Sequence, residues 1–207
     1  MNLDRLRAAE AHFLSQYPDG FADEGMQKVA KRHNMNKLVE FAQASFAPEQ
    51  YSNVEVGIAN MVKTVSRSSM VSFFEKPKFK DLIARLDADQ KAFLFDSLLE
   101  FLHGDQQAGF EGMVDILKTE KLAKWSLLTI IPTYYAPSTE VFIKPTTAKG
   151  IIAALEIEDL IYKPQPTWHF YTGYRNLITE LKDKVVPSLS PSNAAFTGFL
   201  MMSLLSS

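Results

Sequence analysis

Cations interleaved with phenylalanines are the residues of this chain whose types and spacing point most directly to chemistry. Between residues 63 and 85, KTVSRSSMVSFFEKPKFKDLIAR sets six Lys or Arg against two acidic residues, with Phe73, Phe74 and Phe79 among them. Sites that track a phosphate backbone combine side chains in this way, because cations neutralise phosphates and rings stack bases. Lys63, Arg67, Lys76, Lys78 and Lys80 are therefore candidate ligands for nucleic acid or another polyanion. The competing reading puts the phenylalanines in a core and the lysines on its solvated face. A second cationic corner lies in EVFIKPTTAKGII, residues 140–152, where Lys144, Thr146, Thr147 and Lys149 flank an expected strand-to-helix step with Thr146 as N-cap. Free amides at a helix start attract anions. The corner is thus a candidate site for a phosphate-bearing ligand, with ordinary capping as its alternative.

Other chemistries find little support. The chain has four histidines and no cysteine, and no two histidines stand four apart. Disulfides, a cysteine nucleophile and thiolate metal sites are excluded, and neither a metal nor a cofactor is expected. Glu140 precedes Lys144 by four positions and Glu75 adjoins Lys76. Neither spacing points both groups to one side of a strand, as a metal-dependent nuclease needs. No phosphate loop, dinucleotide fingerprint or serine elbow occurs. No catalytic residue is assigned, and whether the chain is an enzyme stays open, since a site can be built from residues distant in sequence.

The elements that must position these residues are mainly helical. Apolar residues make up 46% of the 207 positions and charged residues 22%, with a net charge of −2, which suits one folded domain over residues 1–207. A soft division is expected near residues 120–126, between an N-terminal helical part and a C-terminal α+β part. No apolar run approaches the ~18 residues of a membrane span, and MNLDRLRAAEAHFLSQ reads as an amphipathic helix rather than a signal peptide. The expected setting is soluble and cytoplasmic, without a membrane partner.

Local punctuation places several helices. Asp23 is an expected cap, and Asp87 with Gln90 has the form of a capping box ahead of a helix whose broad apolar face carries Phe93, Phe95, Leu98, Leu99 and Leu102, closed by Gly104. A less sharply patterned helix is expected from Tyr51 to Val65. WSLLTIIPTYY is a continuous apolar run interrupted by Pro132. Together with the β-branched and aromatic EVFIK and LIYK, it suggests a minor strand or hairpin element around residues 128–163. Thr167 opens a helix with Trp168 and Tyr171 turned inward, and Ser190-Pro191 is the expected start of a last helix. That helix carries Phe196, Phe199, Leu200, Met201, Met202, Leu204 and Leu205, either as core or as a homodimer surface.

Three sets of residues carry a resemblance: YPDGFADEGMQKVAKRHNMNKLVEFAQ; SSMVSFFEKPKFKDLI with AKWSLLTIIP; and VFIKPTTAKG with YKPQPTWHFYTGYRNLITEL. Together they resemble a group of uncharacterised bacterial hypothetical proteins with no assigned function. The resemblance implies a single unit of bacterial type and transfers no catalytic or binding residue. The expected function is non-enzymatic binding of nucleic acid or another polyanion through residues 63–80 and 144–149. A dimerisation module built on the C-terminal helix and an enzyme with an unrecognised site are the alternatives.

Overall fold

The computed structural model describes residues 1–50 and 53–205; Tyr51 and Ser52, where one helix was expected to begin, lie outside these. Every regular element among the described residues is helical. The α-helices are α1 (Leu3–Gln16), α2 (Glu24–Arg32), α3 (Met35–Ser45), α4 (Val54–Arg67), α5 (Glu75–Arg85), α6 (Ala88–His103), α7 (Gln106–Lys118), α8 (Trp125–Tyr135), α9 (Pro145–Ala154), α10 (Trp168–Lys182) and α11 (Asn193–Ser203). Short 3₁₀ turns occupy Gly20–Ala22, Pro48–Gln50 and Pro187–Leu189.

Short polar side chains start most of the helices. Asn2, Asp23, Asn53, Asp105, Thr167 and Ser192 each accept a first-turn amide of the helix that follows. The capping box of α6 is complete, with Asp87 Oδ1 accepting from Gln90 N at 2.8 Å and Gln90 Oε1 accepting from Asp87 N at 3.1 Å. At α11 the sequence reading is corrected by two residues. Ser190 closes the preceding 3₁₀ turn, and Ser192 is the cap.

Packing centres on α8, whose residues from Trp125 to Tyr134 are all buried, against α3, α4, α6 and α7. The most extensive helix pair is α6 with α7, where Gly109 lets the backbones meet; a Cβ there would strike the main chain of Ser97 and Phe101. On the other side α11 packs on α1, α9 and α10. Phe93 leaves the expected apolar face, being 49% exposed.

The expected strand or hairpin at 128–163 does not form among the described residues. A helix buried all round shows no 3.6-residue period, so the run at 125–135 could not be told from a strand by pattern. Pro132 sits inside the helix. Thr129 and Thr133 donate to the carbonyls of Trp125 and Thr129 at 2.7 Å each, and Ala136 N donates to Pro132 O at 2.9 Å, so the ladder resumes beyond the proline. Residues 140–144 form no regular element, and side chains meet two of their backbone groups. Ile143 N donates to Thr129 Oγ1 at 3.1 Å, and Asn193 Nδ2 donates to Glu140 O at 3.1 Å. Residues 160–163 are likewise pinned by a side chain, Trp125 Nε1 donating to Lys163 O at 2.9 Å. No helix among the described residues is long and apolar enough to cross a membrane.

Candidate ligand-binding groove

Where α11, the start of α9, α2 and the loop after α4 come together, they leave a groove of about 640 Å³. Five of the chain's eight methionines line it: Met26, Met35, Met70, Met201 and Met202. Unbranched thioethers fill irregular space and re-pack readily, which suits a surface that adapts to an apolar guest. Met26 is packed in the core, whereas Val29 one turn on is exposed on the groove side of α2.

The wall supplied by α11 is made of small residues. Ala194, Gly198 and Met202 follow one another at four-residue intervals, with Ala195 beside them. Residues so spaced share a helix face. A Cβ added at Gly198 would meet nothing within 4 Å, in contrast to the crowded glycine of the α6–α7 contact. A mid-helix glycine costs about 1 kcal/mol relative to alanine, and at Gly198 no close backbone approach accounts for it. What it maintains is open space.

One end of the groove is cationic. Lys144 is the N-cap of α9 and offers no side-chain acceptor to the first turn, in place of the expected Thr146 cap. The first amide bonded within the helix is that of Ala148, to Lys144 O at 2.9 Å. The amides of Thr146 and Thr147 therefore have no intrahelical acceptor. Thr147 lines the groove at 9% exposure, and Lys144 stands at its rim without an ion pair among the described residues. Among the described residues no acidic side chain lines the groove. His33 Nδ1 and Ser69 Oγ, both lining the groove, are hydrogen-bonded at 2.6 Å, linking the end of α2 to the loop after α4.

The sequence candidates are only partly brought together. Lys144 and Thr147 reach the groove, with Thr146 exposed beside them. Lys149 turns away and stacks over Tyr162 at 5.6 Å. Lys63 lies over Phe41 at 4.5 Å, Arg67 ends α4, and Lys76, Lys78 and Lys80 lie on α5. None of these five lines the groove. The last helix resolves toward core: Phe196, Phe199, Leu200 and Leu204 are buried, while Met201 and Met202 face the groove.

A second polar assembly, which the sequence did not reveal, is closed on itself. Arg175 Nη1 donates to Glu140 Oε1 at 2.9 Å and to Gln106 Oε1 at 3.1 Å, Gln106 Nε2 donates to Glu140 Oε1 at 3.3 Å, and Tyr171 donates to Glu140 Oε2. Glu140 is 5% exposed and Tyr171 fully buried. Burial, then the Glu140 charge, holds the Tyr171 hydroxyl well above its ordinary range. Lys182 Nζ donates to Asn193 Oδ1 at 2.7 Å, carrying the network from α10 into α11. Its chemistry is that of a tie between α7, α10, α11 and the 136–144 loop. Thirty-five positions separate Glu140 from Arg175, so no local signal announces it.

Among the described residues no group of three or more His, Cys, Asp or Glu side chains could hold a metal ion. No protein-family model matches the chain, and no curated protein or solved structure is significantly similar to it.

Proposed function

We propose that this protein binds an amphipathic anion: an apolar chain or ring system in the methionine-lined groove, with a carboxylate or phosphate against Lys144 and the start of α9. The observation that carries this reading is Gly198, a mid-helix glycine facing open space. A volume of about 640 Å³ falls within the range of ~300–1,000 Å³ common to small-molecule sites, which pair apolar walls with a few polar groups. Among the described residues Lys144 is the one fully charged lining side chain, and free amides beside it favour an anion over a cation. The phosphate-bearing ligand expected at residues 144–149 thus becomes the head group of a larger, mostly apolar molecule.

Calorimetric titration with dodecyl phosphate and with dodecyltrimethylammonium, both below micelle formation, tests this. The anion is expected to bind and the cation to bind far more weakly. Lys144→Gln is expected to reduce anion affinity about tenfold, as loss of a charge-assisted hydrogen bond does. Equal affinity for both amphiphiles would remove the head-group assignment, and binding of neither would remove the groove.

A second reading, acyl transfer, has one observation in its favour, the Ser69–His33 hydrogen bond at the groove wall. A hydroxyl with a histidine base is the core of a nucleophilic site, but among the described residues no carboxylate orients His33. Hydrolysis of a nitrophenyl ester that disappears in Ser69→Ala would establish it; unchanged hydrolysis, or none in the parent, would dismiss it.

A further inference from the structure

The loop from Ser68 to Phe74 ends in a tip that the groove does not use. Its base is held firmly. Ser68 Oγ is hydrogen-bonded to Tyr134 Oη at 2.9 Å, Met70 N donates to Ser68 Oγ at 3.1 Å, and Val71 is buried. Two residues on, Phe73 is 81% exposed and Phe74 75% exposed. These are the two most exposed large apolar side chains among the described residues. Phe79, which the sequence grouped with them, is core.

Cations flank the tip along the chain. Arg67 ends the helix before the loop, and Lys76, Lys78 and Lys80 follow on α5. None of the four forms an ion pair among the described residues, whereas Arg85 at the far end of α5 is paired with Glu120 at 3.2 Å. Glu75, which follows Phe74 in the chain, accepts a hydrogen bond from Ser126 at 2.6 Å.

We infer that the Phe73–Phe74 tip docks on an anionic lipid surface, the rings entering the interfacial layer while Arg67, Lys76, Lys78 and Lys80 meet lipid head groups. Apolar side chains beside an excess of cations, here four against Glu75 and Asp81, are the composition of interfacial anchors, and a polybasic rim adds attraction to anionic lipid. Single-stranded nucleic acid, the polyanion suggested by the sequence, fits the rings less well. They stand edge to face, 6.0 Å apart at 80°, so they do not offer two parallel faces to successive bases. Insertion between lipid head groups needs no such alignment. The tip also adjoins the groove, since Ser69 and Met70 of the same loop line it, but docking requires no ligand there.

Co-sedimentation of the full chain with vesicles of phosphatidylcholine alone, or mixed with phosphatidylserine, tests the inference. Binding is expected only with phosphatidylserine, falling as salt is added. Phe73→Ser with Phe74→Ser is expected to weaken it about tenfold or more. Lys78→Gln with Lys80→Gln is expected to weaken it about tenfold and flatten the salt dependence. All four positions are exposed, so melting temperature and dodecyl phosphate binding are expected to match the parent in both variants. That control separates failure at the tip from failure at the groove. Vesicle binding unaffected by loss of both rings, or no vesicle binding at low salt, would overturn the inference. Binding of a single-stranded DNA oligonucleotide that needs both rings, with vesicles unbound, would overturn it in favour of nucleic acid.

Discussion

Gly109 and Gly198 both lie within α-helices, in opposite surroundings. At Gly109 the backbone of α6 is so close that a single methyl group has no room; at Gly198 the same methyl group would meet nothing within 4 Å. The first glycine is there because helices touch, and the second because something is left out. Around Gly109 the chain is packed by interlocking aromatics, with Phe101 and Phe110 edge to face at 5.7 Å and Tyr171 stacked on Phe110 at 5.5 Å. Around Gly198 it presents methionines, small residues and one lysine. One region spends its sequence on density and the other keeps volume open, which separates the structural half of this molecule from its candidate site.

The largest expected effect tests the closed side. Glu140→Ala leaves Arg175 without its anion and Tyr171 without its acceptor, and is expected to cost about 3–5 kcal/mol in a urea titration, as breaking a buried pair does. A loss below about 1 kcal/mol would mean that solvent already screens the network. Gly109→Ala comes next, at about 1–3 kcal/mol, because the main chain of α6 must shift to admit the methyl group. Alkali should reveal the same region. Burial pushes the Tyr134 hydroxyl up to about 12 despite its hydrogen bond to Ser68, and raises Tyr171 and Tyr174 as well. Each is harder to ionise folded than unfolded, so its contribution is intact below about pH 10 and is lost as pH rises through the folded value. Between pH 10 and 12 stability is expected to fall by about 1.4 kcal/mol per pH unit on account of Tyr134, with Tyr171 and Tyr174 acting in the same direction. Denaturant midpoints across that range measure it, and a flat profile would contradict the closed packing. The smallest effect belongs to the open side. Gly198→Ala is expected to stabilise by about 0.5–1 kcal/mol, since helix propensity improves with no clash to offset it.

What the sequence made legible was local. The capping box at Asp87 and Gln90, the cap at Asp23 and the close of α6 at Gly104 each depend on neighbours within a few positions. The α8 helix was not legible, because burial on every side erases the period that distinguishes helix from strand. The Glu140–Arg175 pair escaped because sequence spacing carries no record of contacts that distant. For the groove, part of the signal was present: Ala194, Gly198 and Met202 at four-residue intervals, with a glycine where no turn was due. In an apolar helix that row reads as ordinary core, and only the empty space opposite it changes its meaning. Phe73, Phe74 and Phe79 present the same difficulty, since only their exposure separates two tip residues from one core residue.

Filling the open space tests the central claim most directly. Gly198→Leu places a side chain where nothing stands within 4 Å of the new Cβ. If the groove is the binding site, this variant melts at or above the parent temperature and its calorimetric signal with dodecyl phosphate disappears. If the variant binds dodecyl phosphate as the parent does, the groove is not where the ligand sits.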